Sequence, residues 1–173
     1  MLPDTMELRD LMRADWPQML ALNLASVREL SPLDEQRVEW IMSLTHRGLV
    51  VEDEGEMAAF ALAIAPGTPY DSQNYRWFAR RFGRFLYLDR IVVAAQFRRR
   101  GIATRLYDAM EAAADSFDRM VCDVNILPPN QASLAFHTAR GYREVGRLRH
   151  GPEKTVALLS NELHPDTGEK DFP

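Results

Sequence analysis

Apolar residues along this chain keep switching between two spacings, and the switches mark out its elements. Phe85 to Val93 is rich in aromatic and β-branched residues and predicts a strand. Ile102, Leu106, Ala109, Met110 and Ala113 then recur three or four apart, with no Gly or Pro between them, and predict a helix over 102–114. Gly48 to Glu52 and Met57 to Ile64 flank Asp53-Glu54-Gly55-Glu56, whose glycine suits a hairpin turn. Arg119 to Ile126 alternates like a strand that Pro128 and Pro129 stop. Asn130 is placed to cap a helix through Ser133, Leu134, Phe136 and His137, which Gly141 ends.

Nearer the start, 5–11 predicts a first strand. Asp15 and Pro17 open a helix carrying Met19, Leu20, Leu22, Leu24 and Val27. Ser31-Pro32-Leu33-Asp34 interrupts it, and Val38, Ile41, Met42 and Leu44 predict a second helix. Segments 142–147 and 155–159 predict two closing strands. The segment 65–82 holds Pro66, Gly67, Pro69 and several aromatics, and predicts a long loop of the kind that often serves binding.

Composition narrows the class without naming a function. At 173 residues, 46% hydrophobic and 27% charged, the chain fits one soluble domain, expected over 1–164 and followed by a polar tail at 165–173. A net charge of −4 gives no support to nucleic-acid binding. No apolar stretch reaches signal-peptide or membrane-spanning length, so no membrane partner is expected and the cytoplasm is the default. The single Cys122 has no internal disulfide partner and reads as a small buried hydrophobe. His46, His137, His150 and His164 lack metal-ligand spacing, so no metal is expected.

The informative turn is Arg98-Arg99-Arg100-Gly101-Ile102-Ala103, where the strand hands over to the helix. A helix start leaves backbone N–H groups without intrahelical partners and carries partial positive charge, which together favour an anion such as phosphate. Gly101 has no Cβ and lets a ligand approach the backbone. A solvated basic run before a helix would look similar.

Two spaced motifs resolve that ambiguity. Arg98, Gly101 and Ala103 fit the pattern Q/R-x-x-G-x-G/A, and Asn130 to Tyr142 is an Asn followed by a helix ending in Gly-aromatic. With the order strand, two helices, three strands, helix, strand, helix, two strands, the chain resembles the GNAT superfamily of acyl-CoA-dependent N-acyltransferases. The resemblance implies an α/β (α+β) fold: a single mixed, mostly antiparallel sheet of about seven strands flanked by about four helices. It also implies transfer of an acetyl group from acetyl-CoA to a primary amine by direct attack in a ternary complex. A CoA-binding module without transfer, or an enzyme using a longer acyl-CoA, is the alternative.

The resemblance assigns residues. Arg98, Arg99, Arg100, Gly101, Ile102, Ala103 and Thr104 would hold the CoA pyrophosphate, largely through backbone amides. Ile91, Val92 and Val93 would hold the pantetheine arm and acetyl group, the Val93 amide donating to the thioester carbonyl. Asn130, Ser133, Phe136 and His137 would complete the CoA side, although Asn130 has a sufficient role as a cap.

Asp89 stands where many relatives place a base, and period two would put it on the same face as Val93; an ion pair with an arginine is the competing role. His137 replaces the tyrosine that often protonates the departing thiolate, or it only packs.

For the acceptor, a small-molecule or peptide amine, the candidates are Asn23, Glu29, Ser31 and Asp34, with Tyr70, Asp71, Asn74, Tyr75, Trp77 and Phe78 from the long loop. Glu29, Tyr75 and Trp77 are the foremost of these, because acidic and aromatic side chains together suit a cationic amine. The loop's aromatics could equally cover the core or a second copy of the chain in a homodimer.

Overall fold

The computed structural model describes residues 6–26 and 32–164. Seven strands form one sheet: β1 (Met6–Asp10), β2 (Thr45–Asp53), β3 (Glu56–Ile64), β4 (Phe85–Val93), β5 (Arg119–Leu127), β6 (Arg143–Arg149) and β7 (Thr155–Glu162). Their spatial order is β1-β2-β3-β4-β5-β7-β6, antiparallel throughout except for the central pair β4 and β5. Parallel neighbours need a crossover, and α4 (Ile102–Ala112) supplies it.

Among the described residues five α-helices flank the sheet, one more than the sequence predicts. Helices α1 (Trp16–Ala25), α2 (Glu35–Leu44) and α3 (Gln73–Ala79) cover one face, burying Met19, Val38, Ile41, Tyr75 and Phe78 against Phe60, Tyr87 and Val121. Helices α4 and α5 (Gln131–Ala139) cover the other. The additional helix α3 lies inside the predicted loop 65–82. The Ser72 side chain accepts from Tyr75 N–H at 3.3 Å and starts it, while Tyr75 and Phe78, three apart, anchor it in the core. Seven residues are too few for periodicity to reveal a helix in sequence.

Two departures from regular pairing create the functional region. First, β4 and β5 pair only from Phe85 with Arg119 to Tyr87 with Val121. Beyond that rung β4 continues on β3 alone and β5 on β7 alone, so the sheet splits. The carboxyl ends of adjacent parallel strands, at a change of chain direction, are where open α/β sheets hold ligands. Second, Leu62 pairs with Arg90 while Ala63 pairs with Leu88, which leaves Asp89 as the extra residue of a bulge in β4.

The bulge inverts the phase of the strand. Before it, Leu86 and Leu88 pack toward α4 and Tyr87 toward α1 to α3; after it, Val92 packs toward α1 to α3 and Ile91 and Val93 toward α4. Asp89, bonded to Tyr70, therefore lies on the face opposite the Val93 side chain. The period-two expectation that they share a face is corrected.

Candidate active site

A cavity of about 460 Å³ occupies the split. Leu88 to Val93 of β4 line one wall and Cys122 to Asn125 of β5 the other. Arg98, Asn130, Ser133 and His137 border it on the α4 and α5 side, and Tyr70, Asn74, His150 and Lys154 on the opposite side. A second cavity, lined by Gly101, Ile102, Ala103, Thr104 and Phe136, adjoins the first through Val93 and Arg98.

The turn before α4 has the geometry an anion needs. Arg99 (φ 62°) and Gly101 (φ 77°) both adopt left-handed conformations on either side of Arg100. Such alternation gathers backbone N–H groups on a concave side. Helix α4 starts without a side-chain cap, so its first amides are left for a ligand. A Cβ built on Gly101 would meet no atom within 4 Å, so open space lies over that backbone. Arg100 lies over the Phe97 ring, 5.3 Å from its centroid, rather than among the cavity-lining residues.

Backbone register fixes the next donor. Ala94 N–H bonds the Ala58 carbonyl of β3 at 2.9 Å. Successive N–H groups along a strand point to opposite edges, so Val93 N–H points away from β3 into the split.

On the α5 side, His137 is 4% exposed. Its Nδ1 lies 2.7 Å from the Ser133 carbonyl, which can only accept, so Nδ1 carries the proton. In the neutral ring Nε2 then accepts, and its partner at 2.5 Å is the Tyr107 hydroxyl. Burial holds the His137 pKa below the ordinary imidazole value, which keeps the ring neutral near pH 7. The Tyr107 phenol is pushed well up by burial. Tyr107, which lines the cavity, thus stands beside the split with His137 behind it. The Asn130 side chain caps α5, accepting from Ser133 N–H at 3.2 Å.

Two carboxylates sit where the strands separate. The Asp89 side chain is 5% exposed, one oxygen accepting from Arg90 Nε at 2.6 Å and the other from the Tyr70 hydroxyl. The ion-pair role foreseen for it is realised. Arg90 also donates to Asn23 of α1 at 3.0 Å.

Asp123, not foreseen from sequence, extends from β5 on the same face as Tyr87, whose hydroxyl donates to it at 2.7 Å. Burial, reinforced by the charge of Asp89, raises its pKa to about 6, while hydrogen bonds from Tyr87 and Asn74 and the Lys154 ammonium pull the other way. A carboxylate poised near neutrality inside a cleft is the property a general base requires. The available signal was that Asp123 is the single charged residue between Met120 and Ile126.

The predicted acceptor residues scatter. Tyr70 and Asn74 line the cavity. Tyr75 and Trp77 do not. Tyr75 is buried among Tyr70, Phe85 and Tyr87 and donates its hydroxyl to the Ala65 carbonyl at 2.9 Å. Trp77 packs against the backbone of Gly146 on β6 and under Arg81, 3.6 Å from its ring centroid. Phe78 is core, Asp71 pairs with Arg37, and Asp34 caps α2. Glu29 and Ser31 lie outside the described residues. Among the described residues, no group of three or more His, Cys, Asp or Glu side chains could hold a metal, and no helix is long and apolar enough to cross a membrane.

Comparison with known proteins bears on the fold. The fold matches the ribosomal-protein-S18-alanine N-acetyltransferase from Escherichia coli with a TM-score of 0.73 at 15% identity, covering 96% of this chain and 99% of that one. It matches an N-acetyltransferase from Staphylococcus aureus Mu50 at 0.70 and 18%, covering 92% and 99%. YncA from Salmonella typhimurium, solved with its cofactor acetyl-CoA, matches at 0.70 and 16%, covering 96% and 99%. No curated protein matches in sequence. The model of the acetyltransferase (GNAT) family matches residues 6–142, and the chain belongs to that family.

Proposed function

We propose that the protein transfers an acetyl group from acetyl-CoA to a primary amine, with Asp123 as the general base. The observation that carries this reading is the split between β4 and β5, which opens the Val93 amide and the Asp123 carboxylate into one cavity. The pyrophosphate would rest on the amides of 99–104 with Arg98 alongside, and the pantetheine arm along Ile91 to Val93.

The amine arrives as an ammonium ion and gives one proton to Asp123. Its freed lone pair forms the C–N bond at the thioester carbonyl, and the oxyanion accepts from Val93 N–H. The carbonyl re-forms as the C–S bond breaks, with the electron pair leaving on sulfur. The nitrogen's surplus proton passes to the thiolate, giving a neutral amide and free CoA. His137 holds Tyr107 beside this path and is a positioning residue, because its Nδ1 proton is committed to Ser133 and its Nε2 carries none. Asp89, fixed by Arg90 and Tyr70, is committed to those partners and adds to burial in holding the Asp123 pKa up.

The test is release of CoA thiol from acetyl-CoA across a panel of amines, with binding of CoA measured separately by calorimetry. Amine-dependent release that depends on Asp123 supports the reading. CoA binding with no transfer to any amine would favour a binding module instead, and preference for propionyl- or succinyl-CoA would favour a longer acyl donor.

A further inference from the structure

The acceptor side of the cavity carries charges of both signs, and most cancel within the protein. Arg37 pairs with Asp71 through two bonds of 2.9 and 2.6 Å. Arg90 pairs with Asp89. On the acceptor side two charged side chains remain without an ion pair among the described residues, Asp123 on β5 and Lys154 in the turn between β6 and β7, while Arg98, also without one, borders the cavity on the α4 side. Asp123 and Lys154 do not pair with each other.

Register explains why. Lys154 precedes Thr155, which lies opposite Leu127, four positions along β5 from Asp123. A bulge between Asn125 and Leu127 takes up one of those positions, so on β7 Thr155 lies three residues from Leu158, the partner of Asp123, and three strand residues span about 10 Å. The flexible four-carbon stem of lysine covers only part of that distance. The remaining gap fits a small molecule with a hydrogen bond at each end. The turn itself is fixed: His150 N–H bonds the Lys154 carbonyl at 2.7 Å, and His150 Nε2 donates to Asn74 of α3 at 2.8 Å. Lys154 is thus held at the rim rather than carried on a loose loop.

Building on the acetyltransferase reading above, we propose that the acceptor is a small amino acid-like molecule, its ammonium at Asp123 and its carboxylate at Lys154. A polyamine would set a second cation against Lys154, where like charges repel. A polypeptide N-terminus would present a neutral amide carbonyl in place of the carboxylate, leaving the half-buried ammonium without a partner.

The experiment compares kcat/KM for free α-, β- and γ-amino acids with that for their amides and for spermidine. The free acids should exceed their amides by ten-fold or more. In Lys154→Met that ratio should fall toward one, and in Lys154→Arg it should be largely retained, with CoA affinity serving as the check on folding. Transfer to amides or spermidine as efficient as to free acids overturns the proposal while leaving acetyl transfer standing. A ratio unchanged in Lys154→Met overturns the role of that lysine and the proposal with it. If no amine is acetylated at all, the acetyltransferase reading falls first and this proposal with it.

Discussion

The Tyr87 hydroxyl on β4 donates to Asp123 Oδ1 on β5 at 2.7 Å, just past the last rung that joins the two strands. One hydrogen bond thus bridges the strands where the sheet begins to open, and it fixes the carboxylate proposed as the base. Replacing Asp123 by Asn should lower kcat/KM by about 10²- to 10⁴-fold, the usual contribution of a positioned base. The wild-type profile should rise through an apparent pKa of about 6, and that limb should vanish in the variant. A limb that survives would remove Asp123 from the role.

The same residue should cost stability. Because burial raises its folded-state pKa above the unfolded value, the native state binds more protons between about pH 4 and pH 6, and stability falls as pH rises through that window. Asp123→Asn should therefore melt at a higher temperature than wild type at pH 7 to 8, with the difference shrinking below pH 4. Thermal melts across that range read the effect directly.

Tyr87→Phe removes a donor that favours the ionised carboxyl. The acidic limb of the rate profile should move to higher pH, with the maximal rate less affected than in Asp123→Asn. A limb that stays in place would show that the hydroxyl does not tune the base.

Gly101→Val forces a β-branched residue into a left-handed conformation, which costs about 1–2 kcal/mol. The space above Gly101 is open, so the penalty falls on the turn's backbone rather than on core packing. CoA affinity should drop about five- to thirty-fold with the fold retained, as calorimetry would show.

Gly146→Ala should be more damaging to the fold than its exposed strand suggests. A Cβ there would lie 2.4 Å from Trp77 Cζ2, and overpacking of this kind costs about 1–3 kcal/mol. Urea unfolding should show a lowered midpoint with CoA affinity little changed.

What the sequence disclosed was whatever depends on neighbours along the chain. The strand Phe85–Val93 emerges with the bounds its composition predicts, and Gly101 stands in a left-handed conformation immediately before α4, the helix that the spacing of Ile102, Leu106 and Met110 predicts. Asp123 stayed hidden because its character comes from β4 parting from β5, a relationship between segments far apart in sequence. The wrong face for Asp89 has a similar cause, since a bulge is set by pairing with β3 and leaves no mark on the local pattern of polarity. Trp77 looked like a binding residue because an aromatic in a proline-rich segment carries no sign of Gly146 across from it.

If acetyl-CoA binds as proposed, the unshared edge of β4 links binding to folding. Among the described residues no strand shields Val93 N–H and its neighbours on that edge from exchange with solvent, and a pantetheine arm laid along Ile91 to Val93 would act as an eighth strand. A ligand at a hundred times its dissociation constant adds about 2.7 kcal/mol to the stability of its host. Amide exchange along Ile91 to Val93 would slow with the supply of acetyl-CoA, and the protein's resistance to unfolding would rise and fall with that supply.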